Sequence, residues 1–354
     1  MSLNISILGQ SNSILKAGFF QKFLDADDTI DVKSAGRIGA SPSLLGPYFA
    51  QGDFFQGSEF CIVDTCVIDF SLLSANAIDY YDVVRWVEWI GHSAKRANCE
   101  PVFVCIPVSD VNASRTIISA CISVCQKQDW YYLDVRDIIA AVAKSRNVDA
   151  KELYADGSHP AEFLSGEIAA HLGNFLTKIR SAETATCKRT FAFTAYERVP
   201  LKDQIQSAPV EYTSRLITFS GARLERGETY PIYVGSDASV CGLMVNSAAC
   251  KSVLSIEGDR AFYKNLRLKP YHPTNFEARL IPICKPIRDH QGVVRLSLTN
   301  QDVRMSDVTM HSSNDGNDDG FIEAADLVVE RGYDLITYTT TRPADPASIR
   351  WIPD

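Results

Sequence analysis

Short apolar runs alternate with amphipathic stretches through the first 180 or so residues, and this restricts the chain to a parallel sheet covered by helices. The runs fall at residues 4–8, 29–34, 60–64, 101–106 and 130–133. Between them Val83, Val84, Val87 and Ile90 recur at helical spacing within 80–96. Helices are also expected over 111–126 and 135–144. Pro160 suits the first turn of a final helix, because its missing N–H would have no partner there. Residues 1–180 are therefore expected to form a three-layer α/β/α domain around a parallel sheet.

Beyond Lys178 the texture changes. Residues 181–209 are mixed and aperiodic and read as a linker. From 210 to 354 the chain is rich in Thr, Val, Tyr and Arg, with strand-like alternation at 215–219, 230–234, 293–298 and 335–338. Short strands separated by Gly, Asn and Asp clusters predict an all-β sandwich or jelly roll. Aromatics in this half, among them Tyr230, Tyr233, Tyr263, Tyr271 and Trp351, have faces that can stack on sugars, although aromatics favour strands in any case. The run from Ser312 to Gly320 reads as a solvated loop, and its acidic residues lack the register of a calcium loop.

The 354 residues are 46% hydrophobic and 22% charged, enough for two cores. A formal net charge of −8 argues against a non-specific nucleic-acid or anionic-membrane surface. No apolar stretch approaches the roughly 20 residues of a membrane span. No leader pattern precedes the first strand, so a cytoplasmic protein is expected. The ten cysteines show no paired C-x-x-C spacing and are expected to be reduced core thiols. His92 and His171 lie on expected helices, and His272, His290 and His311 lack ligand partners at metal spacing. No metal or cofactor is expected.

Chemistry concentrates at two places. Ser11 lies in Gly9-Gln10-Ser11-Asn12-Ser13, directly after the first strand, where open α/β sheets bind their ligands. Asp156 and His159 lie in Asp156-Gly157-Ser158-His159-Pro160, a short polar turn before the last helix. A serine hydroxyl is a weak nucleophile until a base takes its proton, and the base works best when a third group orients it. Taken singly, Ser11 reads more readily as a helix cap, and Asp156 with His159 as a capping turn before Pro160. Together they supply nucleophile, base and orienting carboxylate.

These blocks resemble those of the SGNH or GDSL hydrolases, which carry G-x-S after the first strand and D-x-x-H before the last helix. The resemblance covers residues 1–180 and implies an SGNH/flavodoxin-like fold. The Gly-Gln-Ser-Asn wording is similar to the first block of carbohydrate acetylesterases in that superfamily. It also implies an oxyanion hole formed by the N–H groups of Ser11 and a glycine after the second strand, Gly39 by spacing, with Gly36 as the alternative. The family's third block, G-x-N-D, departs here: Cys66 and Ile68 stand where the glycine and asparagine are expected. Loss of one oxyanion donor costs about 10²–10³ in rate. Gln10 or Asn12 as substitute donor, a slower acyl transfer, or a relic site are the three readings left open. The resemblance implies a serine esterase removing O-acyl groups, acetyl foremost, from a carbohydrate or small ester. A glycan O-acyltransferase and a catalytically inactive binding protein are the alternatives, and the oligomeric state is not legible.

Overall fold

The computed structural model describes residues 2–182, 184–271, 274–299, 303–310, 312 and 320–343. The first half is built as β1 (Leu3–Gly9), α1 (Ser11–Ile14), α2 (Phe19–Asp25), β2 (Ile30–Arg37), α3 (Leu45–Phe49), β3 (Phe60–Thr65), α4 (Val67–Ser74), α5 (Tyr80–Arg96), β4 (Glu100–Cys105), α6 (Arg115–Gln128), β5 (Tyr131–Asp134), α7 (Val135–Arg146) and α8 (Glu162–Ser181). The five strands form one parallel sheet in the order β2-β1-β3-β4-β5.

Alternation along these strands sends side chains to two cores. Leu3, Ile5 and Ile7 of β1 and Phe60 and Ile62 of β3 meet α2, α7 and α8 on one face. Leu8, Cys61, Val63 and Phe103 meet α3, α5 and α6 on the other. The long helix α5 starts where Asp79 accepts the N–H of Asp82 and Asp82 returns the bond to Asp79, a reciprocal cap. Pro160 sits one residue ahead of the α8 cap Ala161, in a bridge with Tyr154, so the helix opens at Glu162 rather than at the proline.

The second half is antiparallel: β6 (Thr184–Pro200), β7 (Pro209–Thr213), β8 (Thr218–Glu225), β9 (Thr229–Tyr233), β10 (Ser239–Asn246), β11 (Val253–Glu257), β12 (Ala261–Asn265), β13 (Ala278–Arg288), β14 (Val293–Thr299) and β15 (Phe321–Pro343). A six-stranded and a four-stranded sheet enclose a core that includes Ile232, Val240, Leu243, Leu254, Ile256, Leu296 and Leu327. This is a β-sandwich.

The residues read as a linker carry a strand. β6 pairs with β15 from Asp326↔Pro200 to Pro343↔Thr184, with an irregularity in register between Arg331 and Tyr333. Its hydrophobic pattern looks aperiodic because its side chains serve two cores. Phe193 and Tyr196 pack into the core shared with α5, whereas Val199 packs into the sandwich.

Consequently the two halves share apolar interior as well as surface. His92 on α5 is buried against Trp130, Phe191, Phe193 and Tyr338, and its Nδ1 lies 3.1 Å from Tyr338 Oη. Leu44 sits over Gly242 so closely that a Cβ there would lie 2.6 Å from Leu44 Cδ2. Tyr48 Oη donates to Asp326 Oδ2 at 2.5 Å, with both residues buried. Arg85 bridges to Glu330 at 2.8 Å. Eight of the described cysteines are buried free thiols, and Cys284 is half-buried and free. Among the described residues no helix is long and apolar enough to cross a membrane.

Burial, and then the charges of Arg189 and Lys127, press the His92 imidazole down to about 4. The unfolded chain, with its histidine near 6.5, therefore binds the more protons between pH 6.5 and 4, and stability falls as pH drops through that window. His92→Phe is expected to flatten this acid limb in thermal melts recorded from pH 7 to 4. An unchanged limb would show that His92 does not carry it.

Candidate active site

The strand order places a topological switch between β1 and β3, since the chain leaves β1 for one side of the sheet and returns to the other. Ligand crevices of open α/β sheets lie at that point, beyond the carboxyl ends of the strands. The turn Gly9–Ser13 leaves β1 there and the turn Thr65–Asp69 leaves β3 beside it.

Ser11 opens α1, a single turn whose cap residue is Gln10 and which has no side-chain cap. The Ser11 hydroxyl is thus not consumed by the helix. Its Oγ lies 2.9 Å from His159 Nε2, across 148 positions of sequence. His159 Nδ1 lies 2.7 Å from Asp156 Oδ2. Asp156 Oδ1 accepts the N–H groups of Ser158 (2.7 Å) and His159 (2.9 Å), so the carboxylate both shapes the turn and holds the imidazole. Burial pushes the Asp156 carboxyl upward, but the bonds from the imidazole and the two amides outweigh it and leave the group below its ordinary value. The site is partly open, with the His159 side chain 28% exposed and that of Asp156 57%.

The turn carrying Ser11 is gripped from below by two buried aspartates. Asp64, at the end of β3, takes the N–H groups of Gln10 and Ser13 on Oδ2, each at 3.1 Å. Asp69 accepts from Ser43 N on Oδ1, and from Gln10 Nε2, Ser43 Oγ, Thr65 Oγ1 and Cys66 N on Oδ2. Gln10 Oε1 in turn accepts Ile68 N at 3.1 Å. Ser13 Oγ donates to Gln10 O at 2.7 Å, in space where a Cβ on residue 9 would lie 1.9 Å from that oxygen; only glycine fits there. Cys66, in the expected glycine position, holds φ at +88°.

Neither substitute donor faces an open cleft. Gln10 is fully buried and its amide is committed at both ends, to Asp69 and to Ile68 N. Asn12 is also buried, and its Nδ2 is covered from solvent and lacks a hydrogen-bond partner. Gly36 belongs to β2, where a Cβ would strike the Phe49 side chain at 2.5 Å, so its place is structural. Gly39 follows β2 in a half-buried segment, and a Cβ there would meet nothing within 4 Å. Sequence reasoning named Ser11, Asp156, His159 and Gly39 but missed Asp64 and Asp69. A signal was present: Asp64 is a carboxylate at the end of the otherwise apolar run Phe60-Cys61-Ile62-Val63.

A small groove, open to solvent, lies between the two halves. Ala40, Ile68 and Leu72 line one wall, and Tyr271, Thr309 and Met310 are among the residues of the other. Ser11, Gly39, Asp156 and His159 do not line it; Ala40, next to Gly39 in sequence, and Ile68, whose N–H donates to Gln10 Oε1, do. Among the described residues no cluster of three or more His, Cys, Asp or Glu side chains is arranged to hold a metal ion. Among the remaining aromatics, Tyr233 is 64% and Tyr271 50% exposed. Trp351, His272, His311 and the acidic stretch 313–319 lie outside the described residues.

No protein-family model matches the sequence, and no curated protein does. Among solved structures the chain is similar to a two-domain esterase (CEX) active on acetylated mannans, at 13% identity and a TM-score of 0.58, over 94% of this chain and 91% of that one. The same esterase co-crystallised with mannopentaose gives 14% identity and a TM-score of 0.61, over 94% and 92%. An acetyl xylan esterase, AlAXEase, matches 49% of this chain and 98% of its own at 11% identity and a TM-score of 0.43. The likeness shows a shared two-domain fold, with the α/β domain first and the sandwich second.

Burial pushes the Asp64 carboxyl up to about 7, against the hydrogen bonds from Gln10 and Ser13, with the charge of Asp69 adding to the rise. The folded state therefore holds a proton between about pH 4 and 7 that the unfolded chain has lost, and stability through this group falls as pH rises across that window. Asp64→Asn retains an oxygen acceptor for the two N–H groups and removes the charge. Its melting temperature is expected to gain on the parent progressively from pH 5 to pH 8, and a constant difference would show that Asp64 does not titrate there.

Proposed function

We propose that the protein is a serine esterase that removes O-acyl groups, acetyl foremost, from a carbohydrate. The observation that carries this reading is the pair of contacts at His159, 2.9 Å to Ser11 Oγ and 2.7 Å to Asp156 Oδ2. Both lie within the reach that proton transfer requires. The two-domain likeness to an esterase active on acetylated mannans supports the choice of an acylated carbohydrate.

In this mechanism Ser11 Oγ attacks the ester carbonyl as its proton passes to His159 Nε2. Asp156 fixes the imidazole with Nδ1 protonated and stabilises the imidazolium. The tetrahedral oxyanion accepts from the N–H groups of Ser11 and Gly39. Ser11 N–H belongs to the first turn of α1 and has no intrahelical acceptor. Collapse breaks the bond to the sugar oxygen, which takes the proton from His159 Nε2 and leaves as a hydroxyl. Water, deprotonated by the same imidazole, then attacks the acyl carbonyl and frees the acid and Ser11.

The donor that Ile68 fails to supply leaves the oxyanion with two main-chain groups, which predicts a slow enzyme rather than an inert one. Ser11→Ala is expected to lower the rate on p-nitrophenyl acetate by about 10³-fold or more. Equal rates for variant and parent would remove Ser11 from the reaction. Ile68→Asn, which offers a side-chain donor at the third block, is expected to raise kcat about tenfold or more. A folded variant with unchanged kcat would place the oxyanion elsewhere.

A further inference from the structure

Two arginines from different domains converge on the turn that carries Ser11, and the proposed reaction uses neither. Arg37 ends β2 and Nη1 donates to Ser13 O at 3.1 Å. Its guanidinium also lies 5.6 Å from the Phe20 ring centre. Arg215 stands at the tip of the turn between β7 and β8, and Nη2 donates to Ile14 O at 3.5 Å. That turn is pinned: Ser214 Oγ accepts the N–H groups of Leu216 and Ile217, and Ser214 N donates to Ile217 O. The two cations thus meet consecutive carbonyls, about one helical turn or 5 Å along α1 from Ser11.

Capping so short a helix needs one cation, and a second brings repulsion. Each guanidinium has five N–H donors, of which a single hydrogen bond uses one. Arg37 is half-buried, and its guanidinium is destabilised by burial and then by the charge of Arg215. Among the described residues neither arginine has a carboxylate partner. Arg85, Arg136, Arg180, Arg223 and Arg331 do, in a chain whose net charge is −8. Two like charges held on the turn that carries Ser11, with donors unspent, have the chemistry to bind an anion.

We propose that the ester substrate carries an anionic group, carboxylate or phosphate, which Arg37 and Arg215 hold while its acyl group lies at Ser11. The preferred substrate is then an acylated acidic sugar rather than a neutral one. This rests on the esterase reading, and it gives the second domain a part in substrate choice: Arg215 reaches the nucleophile's turn only because the β7–β8 turn is carried there by the sandwich.

The experiment compares kcat/KM on mono-O-acetyl glucose, mono-O-acetyl glucuronate and mono-O-acetyl glucose 6-phosphate. It uses the parent, Arg215→Ala and Arg215→Glu, and Arg215 is exposed, so both variants are expected to fold. The parent is expected to favour at least one anionic ester over the neutral one by about tenfold or more, through KM, with the preference shrinking as salt rises. The preference should fall toward unity in Arg215→Ala and reverse in Arg215→Glu, and the better anionic substrate identifies the group recognised. Turnover of all three esters with the same ratios in all three proteins would overturn the anion site while leaving the esterase intact. Failure of the parent on every ester would count against the esterase itself. The anion site would then be judged by titrating glucuronate, glucose 6-phosphate and glucose onto the parent and Arg215→Glu. Equal binding of each ligand by both proteins would overturn it.

Discussion

Asp64 holds the geometry of the site together. Its Oδ2 receives the N–H groups of Gln10 and Ser13, which flank Ser11, and so ties the turn after β1 to the end of β3. Asp69 completes the join by accepting from Gln10 Nε2, Ser43 and Cys66. Buried N–H groups without acceptors are costly, on the order of 1–3 kcal/mol each, so a turn that satisfies them in one conformation is strongly preferred. The same crowding explains Gly9, whose missing side chain leaves room for Ser13. The Ser11 hydroxyl is thus held in place by groups other than His159 and Asp156.

The second constraint is the shared core. β6 and β15 leave the sandwich and lie against α5, placing Phe193, Tyr196 and Tyr338 in the same apolar cluster as Trp86, Val87 and Ile90. Breaking the domains apart would expose those rings and strand the buried pair Tyr48 and Asp326. The second domain is therefore held in one pose over the first. That pose brings Tyr271 and Thr309 opposite Ile68 and Ala40, and Arg215 to the end of α1.

Much of the first domain could be read from local pattern. The five strands and α5 appear in the sequence because a buried strand and an amphipathic helix impose their own periods on a short stretch. The strand β6 escaped for the converse reason: its inward side chains enter two cores, and Phe193, Tyr196 and Val199 do not keep a period of two. Pro160 misled by one step because its bridge with Tyr154 holds it just outside the helix. Gln10 looked like a free donor because nothing local shows that both ends of its amide are occupied from α4, by Asp69 and by Ile68 N.

What the sequence determined by itself is the set of chemical groups and their order. A serine follows the first strand, a glycine the second, and an aspartate and histidine share a turn three residues apart, where Asp156 and His159 meet through local bonds. Tertiary structure alone decided that Ser11 and His159 meet at 2.9 Å, that Asp64 and Asp69 grip the turn between β1 and β3, and that Arg215 arrives from the other domain. The physical reason is range. Periodicity, caps and turns act within a few residues, whereas these meetings depend on how one parallel sheet is ordered and how a sandwich docks against its helices.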